Sequence, residues 1–246
     1  MTKDTTAVAT LTPGQLTVCT YGGFAPVCYK NAAGQLIGLD VSFLTRFAES
    51  LGLAIVTIEQ PFNDIWKRPG QNKCDVAGAG VMQRADRPVI PGGSWSDEYF
   101  RVKRSLLVRA AEKAEFDDYK MVTGKKIIVT EGSTADIDAQ TRYPQCTIQF
   151  VDKVAKDQPD AQEYIVKTLI ADYRADAFGE GDVSNQYLRD KYGGTVAGGL
   201  ALADVHPIGG DMPETFNFIT RNASSGVLER LNAFIAQNKE CYAPKS

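Results

Sequence analysis

The stretch "DVSFLTRFAESLGLAIVTIE", residues 40–59, decides the fold. Its first part, 40–52, spaces apolar side chains on one face of a helix, and Gly52 stands where that helix would end. We expect this apolar face to be core: Val41, Leu44, Phe47, Ala48 and Leu51. Asp40 is interpreted as the helix N-cap and nothing more. The second part, 53–59, predicts a strand.

Strands also flank this unit on both sides. "LTVCT" (16–20) comes before it, and "DVAGAG" (75–80) and "RSLLVR" (104–109) follow it. A strand, a helix and two further strands predict a mostly parallel sheet with crossover helices. A hairpin turn at "NAAGQLIG" lies between the first strand and the helix.

The α/β pattern then starts a second time. Strands are predicted at 125–130, 146–151 and 176–180, and helices after Ser133 and over 161–175 and 182–194. A last strand (216–220) and helix (226–237) complete the first unit. We therefore expect an α/β protein of two lobes, formed by residues 14–107 plus 212–246 and by residues 108–211, with hinge crossings near 108 and 205–212. A ligand cleft would lie between the lobes, because ligands of open α/β sheets lie outside the carboxyl ends of the strands.

Composition excludes several classes of protein. The chain has 246 residues and a net charge of −3, which argues against nucleic acid or an anionic membrane as a partner. No apolar run approaches the roughly 20 residues of a membrane span. The opening "MTKDTTAVATLTPG" is small and polar, is not a signal peptide, and is interpreted as an unstructured lead-in; an export signal of the native gene would be absent from this sequence.

The metal-binding and redox motifs are also missing from the sequence. No cysteine pair has the C-x-x-C spacing, and the only histidine, His206, is interpreted as a linker residue. No metal and no cofactor are therefore expected. Five cysteines leave at least one thiol unpaired or paired between chains, and one or two disulfides would form in an exported protein. Cys19–Cys28 is the favoured pair because these two are closest along the chain.

Polar, aromatic and glycine residues follow the predicted strand ends, where a ligand would lie. In the first lobe, "KCDVAGAGVMQRADRP" (73–88) carries Arg84 and Arg87 after a run of small residues. A buried strand with a solvated turn would explain this stretch, and so would a strand end and an arginine that hold an anion. In the second lobe, hydroxyl groups stand at a helix start and an acidic residue follows a strand. Together these groups suit a small zwitterion, an α-amino acid in particular.

Read in this order, the chain resembles the bacterial extracytoplasmic solute-binding proteins of the polar amino-acid type, which serve ABC importers. The matching stretches are "YGGFAPVCYKNAAGQLIGLDVSFLTRFAESLG", "KCDVAGAGVMQRADR" with "WSDEYF", "GKKIIVTEGST" and "RADAFGEGD". Their order and spacing carry the resemblance over about residues 14–237. It implies the type 2 periplasmic-binding-protein fold, a periplasmic or extracellular location, a membrane importer as partner and a monomer that is not an enzyme.

The resemblance also implies roles for individual residues. Arg87 would bind the ligand carboxylate, Phe24 would stack on the ligand from an exposed loop tip, and Asp182 would bind the ammonium group. The other implied contacts are Tyr21 before the aromatic shelf, Phe62 as pocket wall, Gly80 as backbone acceptor, and Ser133 and Thr134 as carboxylate binders.

Some positions depart from the family pattern. Met82 stands where a Ser or Thr usually helps to hold the carboxylate, and we include it in the site. An inserted residue leaves open whether Glu180 or Asp182 faces the ligand. Asp182, Ser133 and Thr134 could instead cap their helices. Trp66 and Trp95 are interpreted as packing residues, and Arg84 as a surface residue.

Two other functions stay open. The same scaffold carries cyclohexadienyl dehydratases, whose second lobe resembles this one but has an Asn in the Gly-Ser/Thr turn and a Glu on the following helix. This chain has Ala135 and Asn185 near those positions, which disfavours an enzyme. A receptor's sensor domain is the third possibility. Which amino acid is bound, and whether the ligand has an amino group, does not follow from the sequence.

Overall fold

The computed structural model describes residues 8–208, 214–222 and 226–242. The chain divides by packing into two units. Unit 1 comprises 1–22, 27–100 and 215–246, and unit 2 comprises 23–26 and 101–214. The predicted lobe limits at 107/108 and 211/212 stay a prediction, because a division by packing does not show about which residues lobes move. The chain start, part of the predicted crossing at 205–212 and the C-terminal end lie outside the described residues.

Unit 1 is built on a five-stranded sheet, and two of its strands, β7 and β13, run on into unit 2. The strands, in the order β5-β1-β6-β13-β7, are β1 (Gln15–Thr20), β5 (Ala54–Glu59), β6 (Val76–Ala77), β7 (Gly93–Val102) and β13 (Glu214–Arg221). β1 pairs in parallel with both β5 and β6, and β13 pairs antiparallel with β6. The predicted β-α-β unit is therefore present, and the strand at 93–102, which was not predicted, adds an edge.

Two helices cover this sheet, α1 (Leu39–Ser50) and α7 (Val227–Asn238). A hairpin of the strands β3 (Cys28–Lys30) and β4 (Leu36–Ile37) lies beside it. On α1, Leu44, Phe47 and Ala48 are buried as predicted, whereas Val41 and Leu51 are only half-buried. Phe43 is the buried residue that the sequence pattern missed, and its ring stacks on that of Phe218.

Unit 2 has a second five-stranded sheet. Its strands, in the order β10-β9-β11-β8-β12, are β8 (Arg104–Arg109), β9 (Lys126–Val129), β10 (Thr147–Phe150), β11 (Ala177–Gly181) and β12 (Leu200–His206). β9 pairs in parallel with β10 and β11, and β8 is antiparallel to β11 and β12. His206 is the last residue of β12 and not the linker residue that we predicted.

Short helices cover both faces of the second sheet, and the two-residue strand β2 (Gly23–Phe24) belongs to the same unit. The helices are α2 (Lys113–Phe116), α3 (Thr134–Arg142), α4 (Val151–Val154), α5 (Ala161–Tyr164) and α6 (Asp182–Tyr192). The predicted helix over 161–175 is in fact α5 followed by a π-helical segment, Ile165–Ile170. Of the described residues, no helix is long and apolar enough to cross a bilayer.

The predicted disulfide is wrong. Cys19 on β1 is joined to Cys74, and Cys28 is a buried cysteine outside this disulfide. Cys74 stands just before β6, and β6 is the parallel neighbour of β1 in the sheet. Sheet adjacency therefore places these two cysteines together although 55 positions separate them in the sequence.

Candidate functional site

The unit 1 part of the candidate site is centred on Arg87. This side chain is only 2% exposed, and its guanidinium lies 5.6 Å from the ring centroid of Phe62 and 5.1 Å from that of Trp66. Stacking on aromatic faces is a contact that arginine makes better than lysine does. Trp66 therefore packs, as predicted, but it also supports the guanidinium, which the sequence did not indicate.

The turn that carries Arg87 is braced from within. The backbone N–H of Arg87 donates to the carbonyl of Arg84 at 3.1 Å, and Arg84 forms two hydrogen bonds of 2.8 Å with the carboxylate of Asp86. Nη1 of Arg87 donates to the carbonyl of Met82 at 3.2 Å. The turn and the aromatic rings together fix the direction of the guanidinium.

The small residues before this turn have a packing reason of their own. A Cβ atom on Gly78 would lie 2.9 Å from a ring carbon of Phe218, so a side chain has no room there. Gly80 has a φ of 58°, in the left-handed region that favours glycine. Its N–H donates to Oδ2 of Asp40 at 2.9 Å. The run therefore admits a buried ring and turns the chain, which is a different reason from the close approach of a ligand.

Asp40 corrects a prediction. The N-cap of α1 is Gly38, and Asp40 is a wholly buried residue of the first turn. Besides Gly80, its carboxylate accepts hydrogen bonds from the hydroxyls of Tyr99 and Tyr242. Burial raises the pKa of Asp40 to about 6, although the hydrogen bonds from Tyr242, Gly80 and Tyr99 act in the opposite direction.

The other predicted aromatic residues fall in different units. In unit 1, the ring of Tyr21 packs edge-on against that of Phe62, with centroids 5.9 Å apart. Phe24 lies in the part of the 23–26 segment that packs with unit 2, and it is buried at 6% exposure. The glycines beside Phe24 predicted an exposed loop tip, and that prediction is wrong because the ring is buried. Its stacking on a ligand stays a prediction.

The segment that carries Phe24 is held inside unit 2 by two polar side chains. The N–H of Ala25 donates to Oε1 of Gln162 at 2.9 Å, and the hydroxyl of Ser184 donates to the carbonyl of Ala25 at 2.5 Å. Gln162 and Ser184 also bond to each other at 3.2 Å. Neither residue was singled out in the sequence, because a polar residue on a helix ordinarily faces water.

Ser133 and Thr134 stand at the start of α3, as predicted. Ser133 is the N-cap, and its hydroxyl accepts the N–H of Asp136 at 3.1 Å. The carboxylate of Asp136 in turn accepts the N–H of Gly132 at 3.0 Å. Two backbone donors at this helix start are thus bonded within the chain. Ser133 therefore caps α3, which was the alternative role that we considered. A carboxylate-binding role of Ser133 and Thr134 stays a prediction.

The two acidic candidates of unit 2 both have partners. Asp182 is the first residue of α6, which is capped by Gly181, and its Oδ1 accepts the N–H of Lys103 at 3.0 Å. Glu180 is buried, with Oε1 3.4 Å from Nη1 of Arg104 and 3.0 Å from the N–H of Gly181. The cap role that we considered for Asp182 is wrong, and which acid faces a ligand stays open.

Arg104 serves a second carboxylate as well as Glu180. Its Nη2 atom lies 2.6 Å from Oε2 of Glu214, and all three side chains are buried. Burial raises the pKa of Glu180, although Arg104 lowers it. This cluster was not predicted, because its members are far apart in the sequence.

Comparison with known proteins identifies the family. The model of the bacterial extracellular solute-binding proteins, family 3, matches residues 16–241, so the chain belongs to this family. The fold is that of the type 2 periplasmic binding proteins, which have two lobes. The predicted family and fold class are confirmed.

Individual relatives are distant. A cyclohexadienyl dehydratase of Pseudomonas aeruginosa is 26% identical over 140 residues, which cover 56% of this chain and 52% of that protein. The chain thus spans about half the length of this curated relative. An arginine-bound amino acid ABC transporter substrate-binding protein of Streptococcus pneumoniae has a TM-score of 0.74 at 19% identity, over 93% of this chain and 90% of that one. An ancestral amino acid-binding protein, described as a precursor of cyclohexadienyl dehydratase, has a TM-score of 0.73 at 20% identity, over 92% and 90%.

Proposed function

We propose that this solute-binding protein captures a small amino acid outside the cytoplasm and delivers it to an ABC importer. The observation that carries the proposal is the buried Arg87, with its guanidinium against Phe62 and Trp66, in the loop after β6 that the family resemblance marks. A guanidinium fixed in one direction can hold a carboxylate through two parallel hydrogen bonds. Binding in a cleft between the lobes, a monomeric state and contact with a membrane permease are parts of this proposal.

The ligand is found by thermal unfolding against each of the twenty L-amino acids, with L-arginine first because the pneumococcal neighbour binds it. At 100 times the dissociation constant, binding adds about 2.7 kcal/mol to the free energy of unfolding. For a chain of this size, the midpoint should rise by roughly 5–10 °C. A flat result with every amino acid contradicts the proposal.

The role of Arg87 is tested on the ligand so found. We expect Arg87→Ala to abolish binding and Arg87→Lys to weaken it strongly, because lysine lacks the flat two-pronged donor. The matched control is Arg46→Ala, which removes an exposed arginine on α1 of the same unit. Equal affinity in Arg87→Ala and the wild type would contradict the role of Arg87 in binding the ligand carboxylate.

An enzyme on this scaffold is the second candidate, favoured by the similarity to the Pseudomonas dehydratase. Such an enzyme needs a general acid. Of the two positions compared, Ala135 is a buried apolar residue of the second sheet's core. Asn185 is buried, and its amide donates to the carbonyls of Ser105 and Phe178. Neither side chain can act as a general acid, so we propose a receptor and not an enzyme. Consumption of a cyclohexadienyl acid by the purified protein, with appearance of an aromatic ultraviolet band, would favour the enzyme.

A further inference from the structure

The carboxylate of Asp40 joins three parts of unit 1 that are distant in the sequence. Its Oδ2 accepts the N–H of Gly80 at 2.9 Å, directly before Val81 and Met82. Its Oδ1 accepts the hydroxyl of Tyr99, on β7, at 2.8 Å. The same oxygen accepts the hydroxyl of Tyr242, close to the C-terminus and 1% exposed.

Each residue of the segment Gly80–Met82 is held by a different partner. Asp40 holds the N–H of Gly80, the N–H of Asn217 donates to the carbonyl of Val81 at 2.8 Å, and Nη1 of Arg87 donates to the carbonyl of Met82 at 3.2 Å. The bond to Asp40 is the one at the left-handed residue, where the chain turns. Because Met82 is bonded to Arg87, a change in the direction of the segment is passed on to the guanidinium.

A buried carboxylate is a poor choice if stability is all that is needed. An apolar residue of similar volume often stabilises a core more than a buried charge does. Asp40 does not cap its helix either, since that position belongs to Gly38. The features that an apolar residue could not reproduce are the hydrogen bonds from Tyr99, Tyr242 and Gly80, and the last of these fixes the turn of the segment.

We propose that Asp40 is a positioning residue of the solute site, which fixes the segment Gly80–Met82 and through it Arg87, and that Tyr242 makes the C-terminal segment part of this support. The proposal rests on the proposed function. Asp40 does not touch the solute in this scheme, and its effect on affinity is indirect.

The proposal implies a dependence of affinity on pH. The titratable groups that contact Asp40 are the hydroxyls of Tyr99 and Tyr242, and the thiol of Cys28 interacts with these two tyrosines. Tyrosine hydroxyls and thiols ordinarily lose their protons above pH 8, so Asp40 is the group of this cluster that titrates near pH 6. A proton on Oδ2 would compete with the N–H of Gly80, and affinity should fall as the pH is lowered from 7 to 5.

The first experiment compares amide hydrogen exchange of residues 78–83 in the wild type, Asp40→Asn and Tyr242→Phe, without ligand. We expect exchange to be at least ten-fold faster in Asp40→Asn, and faster to a smaller degree in Tyr242→Phe. Ile235→Ala is the control, because it opens the core under α7 without touching this carboxylate. Equal protection of 78–83 in Asp40→Asn and the wild type overturns the proposal.

The second experiment measures the amino acid retained from an equimolar mixture of the twenty L-amino acids after dialysis, at pH 7 and pH 5. We expect the wild type at pH 7 to bind at least ten-fold more tightly than Asp40→Asn. The wild type should lose affinity between pH 7 and pH 5 by a larger factor than Asp40→Asn does. A loss that also appears in Ile235→Ala means a structural role only, and overturns the proposal. If the wild type retains nothing, the proposed function fails, and the exchange result then shows separately whether Asp40 fixes Gly80.

Discussion

Nε2 of His206 lies 3.0 Å from Oδ1 of Asp138 in unit 2, and Nδ1 of the same ring lies 2.7 Å from the carbonyl oxygen of Asp204. Burial alone would lower the pKa of His206, but the hydrogen bonds to Asp138 and Asp204 outweigh it and raise the pKa to about 9. The imidazole is therefore charged at neutral pH, and both ring nitrogens donate.

This relationship predicts a loss of stability in mild alkali. The pKa of His206 is higher in the folded protein than the ordinary 6.5, so protonation of this ring stabilises the fold. This contribution to the free energy of unfolding is fully present below pH 6.5 and is lost as the pH rises through 9. We expect a loss on the order of 1–2 kcal/mol, less than the full shift because the group is only half-buried. Urea unfolding at pH 6.5 and pH 9.5 measures it, and Asp138→Asn should flatten the difference.

The same pKa can be observed directly. His206 is the only histidine of the chain, so its ring signals in an NMR titration of tag-free protein need no assignment. We expect a midpoint near 9, moving toward 6.5 in Asp138→Asn. A wild-type midpoint at or below 6.5 contradicts the arrangement.

Removal of the Asp75 carboxylate should strongly lower the free energy of unfolding. It is wholly buried and accepts the N–H of Leu11 at 2.8 Å, and the N–H and hydroxyl of Thr17 at 3.0 and 2.6 Å. Asp75→Ala leaves these donors without an acceptor, which should cost about 3 kcal/mol in urea unfolding. The exposed Asp97→Ala, in the same unit, should change stability by less than about 0.5 kcal/mol. Similar costs for the two variants would contradict this role.

The disulfide predicts that three of the five cysteines carry reduced thiols. Cys28, Cys146 and Cys241 should react with a thiol reagent in denaturant, and Cys19 and Cys74 should react only after reduction. Reduction should lower the free energy of unfolding by about 3–4 kcal/mol, because the bond closes a long loop in the unfolded chain. Five reactive thiols before reduction would contradict the pairing.

Much of the fold could be predicted from the sequence, because its information is local. The helix at 40–52 and the strands at 16–20 and 104–109 follow from apolar spacing, and the structure places elements there within a few residues. The π-helical segment Ile165–Ile170 could not be predicted, because its spacing still looks helical. β7 was missed because polar residues such as Ser94 and Asp97 interrupt its apolar pattern.

The site was less predictable, since its contacts are not local. Asp40 has the residue type and position of a cap, yet its partner Tyr242 is 202 positions away. The small size of Gly78 is explained by the ring of Phe218, which no rule about strand ends indicates. Arg87 was found because the family pattern marks it, whereas Trp66 beside it is indistinguishable in sequence from any other buried tryptophan.

The buried cluster of Arg104, Glu180 and Glu214 predicts a pH-dependent defect when the guanidinium is removed. Arg104→Met leaves two carboxylates in a buried site without their cation, and we expect a loss of about 3–5 kcal/mol at pH 7. Because burial already raises the pKa of Glu180, the loss of Arg104 should raise it further. Part of the stability should therefore return at pH 5, because a larger fraction of Glu180 is protonated there than at pH 7, and Glu180→Gln in the same background should restore part of it at pH 7. Urea unfolding at both pH values measures this, with the exposed Arg101→Met as the matched control. A defect of the same size at pH 5 and pH 7 would mean that lost packing, and not the unpaired charges, destabilises the variant.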